Sequence, residues 1–283
     1  MNIQRLVRKF FETKKEERFK KVFTYIKSRV SHRVWHFYMF FLNLILHPNF
    51  YIQSRPYYDL GFGKCPHIEE LNKLWNMGRP FETDNTRLYF LYMLINSIIE
   101  KHLDGAIAEV GVYKGHTAAI IQRLLPKKRL YLFDTFEGFL QNDLNVEKDI
   151  VGLDEKIGYF GDTSINIVKD KLGDTRNVIL CPGQFPETIT SVPDDETFCL
   201  VHFDADLYAP TKAVCEYFFP RLVDNGVMIF HDYNNKYIGV KKAVDEYFSD
   251  SFSFVIPIPD RFGSALIIKN PNHRHELAAY KEG

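Results

Sequence analysis

Acidic side chains follow two of the apolar runs in this sequence. Asp204 and Asp206 stand at the end of one run, and His231 and Asp232 stand at the end of another. If both runs are parallel strands, these side chains meet at one edge of the sheet, where converging carboxylates need a cation or a shared proton. A divalent metal there could bind two substrate hydroxyls and lower the pKa of the one that reacts. The alternative is that Asp206 caps a helix and Asp232 lies in a polar loop.

A turn with two glycines and a preceding acid is the second candidate site. Glu109 comes shortly before Gly111, and Gly115 follows four residues later. Glycine lets the backbone turn tightly beside a ligand, and the amides at the start of the next helix face the same space. The G-x-x-x-G spacing differs from the dinucleotide fingerprint G-x-G-x-x-G. The acid suits a cationic ligand such as S-adenosylmethionine and opposes a pyrophosphate; the alternative is a turn that only serves packing.

Asp134 ends the next apolar run, 25 residues after Glu109. An acid at this place in a nucleotide-binding fold can accept hydrogen bonds from both hydroxyls of an adenosine ribose. Its alternative role is that of a helix cap or a turn residue. Because the glycine turn and this acid occur in the order that a nucleotide-binding fold requires, together they favour a cofactor site.

Strands and helices alternate from residue 105 onward, which predicts a parallel sheet with right-handed crossover connections. Ligands bind beyond the carboxyl ends of the strands in such sheets, and the candidate residues fall there. The segment Gln141–Gly161 is predicted to be a mobile lid over the substrate, or else a plain surface insertion. The predicted strands cover residues 106–110, 129–134, 177–181, 197–204, 226–230, 252–258 and 264–269, and the predicted helices cover residues 87–101, 117–125, 164–172, 210–222 and 240–248.

The first 60 residues differ in composition from the rest of the chain. Residues 1–33 hold eleven Lys or Arg against three Asp or Glu, and residues 3–29 have the spacing of a basic amphipathic helix. The aromatic run Val34–Leu46 that follows is shorter than the roughly 20 residues of a membrane-spanning helix. We expect residues 1–50 to dock on the cytoplasmic face of an anionic membrane or, alternatively, to pack on a second subunit in a homo-oligomer.

The composition excludes several classes of protein. Apolar residues make up 46% and charged residues 25%, so the chain is not disordered as a whole. The 36 basic and 36 acidic residues balance, which gives no reason to expect a nucleic-acid partner. The four cysteines, Cys65, Cys181, Cys199 and Cys215, contain no CxxC pair. This argues against a disulfide framework or a thiolate zinc site and, with no signal-peptide pattern, favours a reducing, cytoplasmic compartment.

Five segments together resemble one known family. The strings AEVGVYKGHTA, LYLFDTFEGF, HFDADLYAPTKA, GVMIFHDYNN and GVKKAVDEYF are similar, in this order, to the macrocin O-methyltransferase family. Members of that family are S-adenosylmethionine-dependent enzymes that methylate sugar hydroxyls. The resemblance covers residues 80–270 and does not extend to residues 1–60. It implies a Rossmann-like class I methyltransferase fold, with a seven-stranded, mostly parallel sheet and helices on both faces.

The resemblance also implies roles for individual residues. Asp206 would be the general base that accepts the proton of the sugar hydroxyl. The substrate side would be lined by Tyr208 and Tyr233. A divalent cation, Mg²⁺ or Mn²⁺, would be held by Asp204, His231 and Asp232. The cofactor-binding residues would be Glu109, Gly111, Gly115, Asp134, Thr135, Phe136, Gly183, Gln184 and Phe185.

Two residues depart from the family pattern. The family usually has Asp-Asp-Tyr where this chain has His231, Asp232 and Tyr233. Because an imidazole suits manganese, iron or zinc better than magnesium, His231 either changes the metal or points away from it. His116 follows Gly115 where a small residue is common, and it would crowd the cofactor carboxylate or hydrogen-bond to it. Its alternative is a solvated residue at the start of a helix.

The sequence is therefore interpreted as a helical extension over residues 1–60 followed by a methyltransferase domain over residues 61–283. The expected reaction transfers a methyl group from S-adenosylmethionine to a sugar hydroxyl of a glycan or glycosylated metabolite, with help from a divalent metal. Two alternatives stay open. One is a protein of the same fold that binds a sugar or a partner without catalysis, and the other is a nicotinamide-dependent oxidoreductase, which the glycine spacing and Glu109 disfavour.

Overall fold

The computed structural model describes residues 84–249 and 254–270, together with six single residues before them: Val34, Phe37, Phe41, Leu71, Leu74 and Trp75. The chain divides into two compact units, residues 1–66 and 67–283. The predicted helix over residues 3–29 lies outside the described residues. The domain boundary expected after residue 60 stays a prediction.

Seven strands and six α-helices lie within the described residues 84–249 and 254–270. The strands are β1 Ala106–Val110, β2 Leu130–Asp134, β3 Val178–Pro182, β4 Phe198–Phe203, β5 Leu222–Phe230, β6 Ile256–Pro257 and β7 Ala265–Ile268. The helices are α1 Asn85–Glu100, α2 His116–Leu124, α3 Gln141–Val151, α4 Ile165–Leu172, α5 Tyr208–Arg221 and α6 Ile238–Phe248. A short 3₁₀ helix, Glu187–Ser191, precedes β4. None of the described helices is long and apolar enough to cross a membrane.

The strands form one sheet in the order β3-β2-β1-β4-β5-β7-β6. Strands β1 to β5 are parallel, and β7 runs antiparallel to both β5 and β6. At the centre, Val110 of β1 lies opposite Phe133 of β2 on one side and Phe203 of β4 on the other. This confirms the predicted seven-stranded Rossmann-like sheet. The strand order reverses between β1 and β4, which is where a ligand crevice opens in such folds.

Successive residues of the central strands point to two separate cores, as the period of two in a strand requires. Ile107 and Leu132 belong to an aliphatic core beneath α1, α2 and α4. Ala108 and Phe133 belong to the opposite core, beneath α3, α5 and α6. That second core explains much of the aromatic content of the chain, since burying each ring contributes about 2–3 kcal/mol. Its phenylalanines are Phe133, Phe139, Phe185, Phe198, Phe203, Phe218, Phe219, Phe230 and Phe248.

The segment predicted as a lid is partly a regular helix. Residues 141–151 form α3, which buries Leu144 and Glu147 against the domain, and Gly152 ends the helix with a φ of 74°. The high charge of this segment concealed the helix, because only one apolar residue, Leu144, is buried in it. The helix predicted to open at Pro210 begins at Tyr208 instead, so the proline lies in the first turn, where its missing N–H removes no hydrogen bond.

Candidate active site

One cavity of about 660 Å³ opens at the carboxyl ends of β1, β2, β4 and β5. This is the position that the alternation of strands and helices predicts. Side chains from both candidate sites in the sequence line the same cavity, so the two sites are parts of one. The predicted site residues in its wall are Glu109, Gly111, Asp134, Thr135, Gly183, Gln184, Phe185, Asp204, Asp206, His231 and Asp232.

The turn between β1 and α2, residues 109–115, is called the glycine turn here. Gly111 has a φ of +87°, and a Cβ atom on it would overlap the Asp204 carbonyl and lie 2.8 Å from the Ala205 nitrogen. The glycine turn therefore packs backbone against backbone on the loop after β4. A side chain at position 111 would push the two loops apart, so the glycine is needed to hold the two halves of the cavity together.

Asp134 fixes the glycine turn from the neighbouring strand. Its Oδ2 accepts hydrogen bonds from the amides of Val112 and Tyr113, both at 2.7 Å, and its Oδ1 accepts from the amide of Phe136, also at 2.7 Å. A carboxylate has about four acceptor positions, so one remains on Oδ1 for a ligand hydroxyl. The role of Asp134 in binding ribose stays a prediction, and the structure adds a second role as the residue that orders the turn.

Glu109 is a buried acid at the end of β1, with 1% of its surface exposed. Burial and the nearby Asp204 raise its pKa well above the ordinary value, and Arg87 only partly opposes this. Its Oε1 lies 3.2 Å from His202 Nδ1, whereas its Oε2 has no hydrogen-bond partner among the described residues. A buried acceptor without a partner costs about 1–3 kcal/mol. A cationic group such as an ammonium would satisfy it, so this wall of the cavity fits S-adenosylmethionine.

Asp204, Asp206, His231 and Asp232 form the acid–histidine cluster on the other wall. One ligand atom from each lies within 4.8 Å of the others. His231 Nδ1 lies 2.7 Å from Asp204 Oδ1 and also contacts Asp232 Oδ2, while Asn235 donates to Asp232 Oδ1. Asp206 and Asp232 have φ values of 62° and 58°, so both sit in tight loops just beyond their strands.

The acids of the cluster are in unequal electrostatic environments. Burial, Asp204 and Asp232 raise the pKa of Asp206 well above its ordinary value. Burial would also raise the pKa of Asp204, but His231 and Arg87 together hold it far below its usual range. Burial and Arg87 lower the pKa of His231, and the contacts with Asp204 and Asp232 outweigh them and raise it to about 9. Burial is thus the main reason that Asp206 holds its proton more tightly, and the two neighbouring carboxylates add to it.

A divalent cation fits this cluster. Three carboxylates with ligand atoms within 4.8 Å of one another supply the oxygen ligands that Mg²⁺ and Mn²⁺ prefer. The ring of His231 is directed at Asp204 and Asp232 through Nδ1, and its Nε2 is buried without a hydrogen-bond partner among the described residues. His231 thus does not point away from the acids, and its role as a metal ligand stays a prediction.

Arg87 belongs to the site although the sequence did not indicate it. From the first turn of α1 it donates to Asp204 Oδ2 at 2.7 Å and lies 2.9 Å from His202 Nε2, with its guanidinium 5.6 Å from the Trp75 ring. Burial and Arg87 lower the pKa of His202 to about 3, so its ring is neutral and accepts from the guanidinium. No motif marks Arg87, because α1 lies outside the strand-and-turn segments.

The two tyrosines predicted on the substrate side do not line the cavity. The Tyr208 hydroxyl donates to Glu246 Oε2 at 2.6 Å, and the Tyr233 hydroxyl donates to Asp245 Oδ1. Both partners lie on α6, so each ring packs on that helix. Their contact with substrate stays a prediction, and the aromatic side chain from this region that does line the cavity is Tyr237.

Gly115 and Phe136 also lie outside the cavity wall. Gly115 caps α2 with a φ of +73°, and a Cβ there would face the Val168 side chain at 3.2 Å, so its role is to pack α2 on α4. Phe136 packs on the aliphatic core. His116 does line the cavity, and its Nε2 lies 2.7 Å from Lys171 Nζ, which places a polar pair beside the start of α2.

Comparisons with known proteins agree with this arrangement. A family model described as macrocin O-methyltransferase (TylF) matches residues 82–252. Over 175 residues the chain is 25% identical to the demethyldecarbamoylnovobiocin O-methyltransferase of Streptomyces niveus, a match that covers 57% of this chain and 64% of that protein. The chain thus spans slightly less than two thirds of the length of this curated relative.

Two solved structures have a similar fold. One is the O-methyltransferase NovP, 22% identical with a TM-score of 0.54, where the match covers 65% of this chain and 80% of that one. The other is the calicheamicin methyltransferase CalS11, 21% identical with a TM-score of 0.52, covering 78% and 99%. At these identities the likeness shows the fold alone. Because the family model spans more than half of the sequence, however, the chain belongs to the macrocin O-methyltransferase family.

Proposed function

We propose that this protein is an S-adenosylmethionine-dependent O-methyltransferase that acts on a sugar hydroxyl of a glycan or glycosylated metabolite. The observation that carries the proposal is that one cavity joins the glycine turn and Asp134 to the acid–histidine cluster. Membership of the macrocin O-methyltransferase family supports it, as does the relative from Streptomyces niveus, which is named for O-methyl transfer.

The residues of the cavity divide the work between its two walls. When bound, S-adenosylmethionine supplies an electrophilic methyl group and the divalent cation supplies a Lewis acid that makes a coordinated hydroxyl more acidic. Glu109 would bind the ammonium group, and the last acceptor position of Asp134 would take a ribose hydroxyl. Asp204, Asp232 and His231 would hold the cation. Holding both reactants in one cavity is the largest contribution to the rate.

Asp206 would take the proton of the sugar hydroxyl at its carboxylate. It is 7% exposed, and its raised pKa makes the carboxylate a stronger base than a free aspartate. Its positive φ places it in the loop between β4 and α5, where it faces the cavity beside Asp232. A general base in this position contributes about 10²–10⁴-fold to turnover.

Binding and turnover of the full-length protein test the proposal. We expect calorimetry to give micromolar affinity for S-adenosylhomocysteine, about −8 kcal/mol, and none for NAD. Incubation with methyl-labelled S-adenosylmethionine, Mn²⁺ or Mg²⁺, and a panel of glycosides with free hydroxyls should label the sugar, as read by mass spectrometry. Asp206→Asn should keep the affinity for S-adenosylhomocysteine and lower turnover by about 10²–10⁴-fold.

The outcomes separate the parts of the proposal. Binding of NAD in place of S-adenosylhomocysteine would contradict the cofactor assignment. Full activity in excess chelator would contradict the metal, and Asp206 would then act as base unaided. A label on the aglycone instead of the sugar would contradict the acceptor class.

We also propose that residues 1–50 dock the enzyme on an anionic membrane at the cytoplasmic face. Val34, Phe37 and Phe41 lie on one face of a helix at positions i, i+3 and i+7 and are 62%, 67% and 45% exposed. Exposed aromatic side chains next to eleven basic residues within residues 1–33 suit a lipid interface, where each basic residue contributes about 1 kcal/mol. The described cysteines are free and buried, which agrees with a reducing compartment.

Liposome flotation decides between a membrane and a second subunit. The full-length protein should float with vesicles that contain anionic lipid at low salt and be released at high salt. Replacing both Phe37 and Phe41 with Ser should reduce the fraction of protein that floats at low salt. A protein that never floats, and whose dimer is lost when residues 1–50 are removed, would make this segment an oligomerisation arm instead.

A further inference from the structure

Glu147 is a fully buried carboxylate outside the cavity wall. It lies on α3 with 0% of its surface exposed, one turn after Asp143, which does line the cavity. Its Oε2 accepts a hydrogen bond from the Tyr208 amide at 2.6 Å. Burial raises its pKa, and the amides of Tyr208 and Gly239 oppose the rise by stabilising the charged form. A buried acid is expensive to keep, so its environment indicates a defined structural task.

The two amides belong to the first turns of two different helices. Tyr208 is the first residue of α5, and Gly239 is the second residue of α6. The amides of a first helical turn have no partner within their own helix and carry the positive end of the helix dipole. The Glu147 carboxylate accepts from the amide of α5 through Oε2 and packs directly against Gly239 of α6, while its Oε1 has no hydrogen-bond partner among the described residues. No side chain caps either helix from its own N-cap residue.

Gly239 shows how closely α6 approaches this carboxylate. A Cβ atom at position 239 would lie 2.7 Å from the carboxyl carbon of Glu147, closer than real side chains come. The glycine therefore leaves the space that Glu147 occupies. Both α5 and α6 also pack on α3, so the three helices meet at this group.

The loops that precede α5 and α6 carry the whole acid–histidine cluster. Asp204 and Asp206 lie between the end of β4 and the start of α5, and His231 and Asp232 lie between the end of β5 and the start of α6. The strand before each loop anchors one end of that loop. The other end of each loop leads into the first turn of α5 or α6, and Glu147 contacts both of these turns.

We propose that Glu147 is a positioning residue that sets the two cluster loops at a common spacing, so that docking of α3 assembles the cation and acceptor side of the cavity. The proposal rests on the proposed function for what the cluster does. The geometry that it invokes is independent of it: one carboxylate hydrogen-bonds to the start of α5 and packs against the start of α6. The wall formed by Glu109 and Asp134 is carried by β1 and β2 and does not depend on Glu147.

The test compares Glu147→Gln and Glu147→Ala with Asp149→Asn, a matched control on an exposed position of the same helix. Calorimetry reports affinity for S-adenosylhomocysteine, Mn²⁺ electron paramagnetic resonance reports cation affinity, and hydrogen exchange reports the order of the two loops. We expect Glu147→Ala to weaken Mn²⁺ binding by about 10–100-fold, as loss of a supporting group does at metal sites, with S-adenosylhomocysteine affinity within about threefold of the wild type. Glu147→Gln should weaken Mn²⁺ binding less than Glu147→Ala does, because the side-chain carbonyl of the glutamine still accepts one hydrogen bond.

Hydrogen exchange should accelerate in residues 204–209 and 231–239 of both variants and stay unchanged in the control. Faster exchange confined to α3 would overturn the proposal. Equal loss of affinity for Mn²⁺ and S-adenosylhomocysteine would also overturn it, because it would mean general damage to the fold. If the wild type binds S-adenosylhomocysteine but no Mn²⁺, the metal part of the proposed function fails, and exchange in the two loops alone decides the role of Glu147.

Discussion

Replacing Gly111 with alanine should separate the two halves of the cavity. Two effects add. The φ of +87° would hold the alanine in a left-handed backbone conformation, which costs about 1–2 kcal/mol. The new methyl group would overlap the Asp204 carbonyl, and relief requires a shift of the β1 or β4 loop at about 1–3 kcal/mol. The expected total is a loss of about 2–5 kcal/mol in the free energy of unfolding, which urea denaturation of the purified protein measures.

Gly152→Ala isolates the steric part of this effect. Gly152 has a φ of +74°, close to that of Gly111, but a Cβ there meets no atom within 4 Å. The control should therefore lose only about 1–2 kcal/mol and keep its affinity for S-adenosylhomocysteine. Gly111→Ala should also weaken that affinity, because the glycine turn carries one wall of the cavity. Equal urea midpoints and equal slopes for the two variants would refute the reasoning, since the loop contact would then contribute nothing.

Three further changes have defined outcomes. Asp134→Ala removes the acceptor of three amide hydrogen bonds as well as the predicted ribose contact, so calorimetry should show a 10–100-fold loss, roughly 1–3 kcal/mol, in affinity for S-adenosylhomocysteine. Arg87→Met leaves Asp204 without its guanidinium partner and should lower the free energy of unfolding by about 3 kcal/mol in urea, whereas an unchanged midpoint would contradict the contact. Tyr131 donates to Glu196 at 2.8 Å, and burial followed by this bond raises its pKa from 10.0 to about 12. Because the folded pKa is the higher one, the wild type should be fully stabilised below pH 10 and lose about 2 kcal/mol more than Tyr131→Phe by pH 12; parallel pH profiles would contradict this.

The centre of the sheet was predictable because two of its strands are marked twice in the sequence, whereas the run 252–258 contains only the two-residue strand β6. The runs 129–134 and 197–204 are apolar and end in Asp134 and Asp204, which line the cavity, so each run gives the strand and its last residue gives the site. Parallel strands that are buried on both faces appear in a sequence as continuous apolar runs, with no alternation of apolar and polar residues. The same logic predicts that Asp204 lies next to His231, and the two side chains are 2.7 Å apart.

The remaining site residues escaped prediction for a physical reason. Arg87 and Glu147 act on the cluster from helices α1 and α3, and nothing in a helix reports which distant loop one of its side chains will reach. Both are charged, and a charged residue on a helix is usually exposed, so burial of either could be learned only from packing. The sequence also did not reveal the three hydrogen bonds that Asp134 accepts from backbone amides, because they depend on how the turn after β1 folds back over β2.

The order of strands in the sheet has a consequence for how the protein folds. Its central pair joins β1 to β4, where Ala106 lies opposite Phe198, about 90 residues further along the chain. Contacts this distant form slowly, because the entropy of closing the intervening loop is lost before the contacts are gained. Until β4 arrives, one backbone edge of β1 is open to pairing with another chain, which is a route to aggregation. Asp204 and Asp206 arrive with β4, whereas His231 and Asp232 follow β5, so the acid–histidine cluster is complete only after β5 has also joined the sheet.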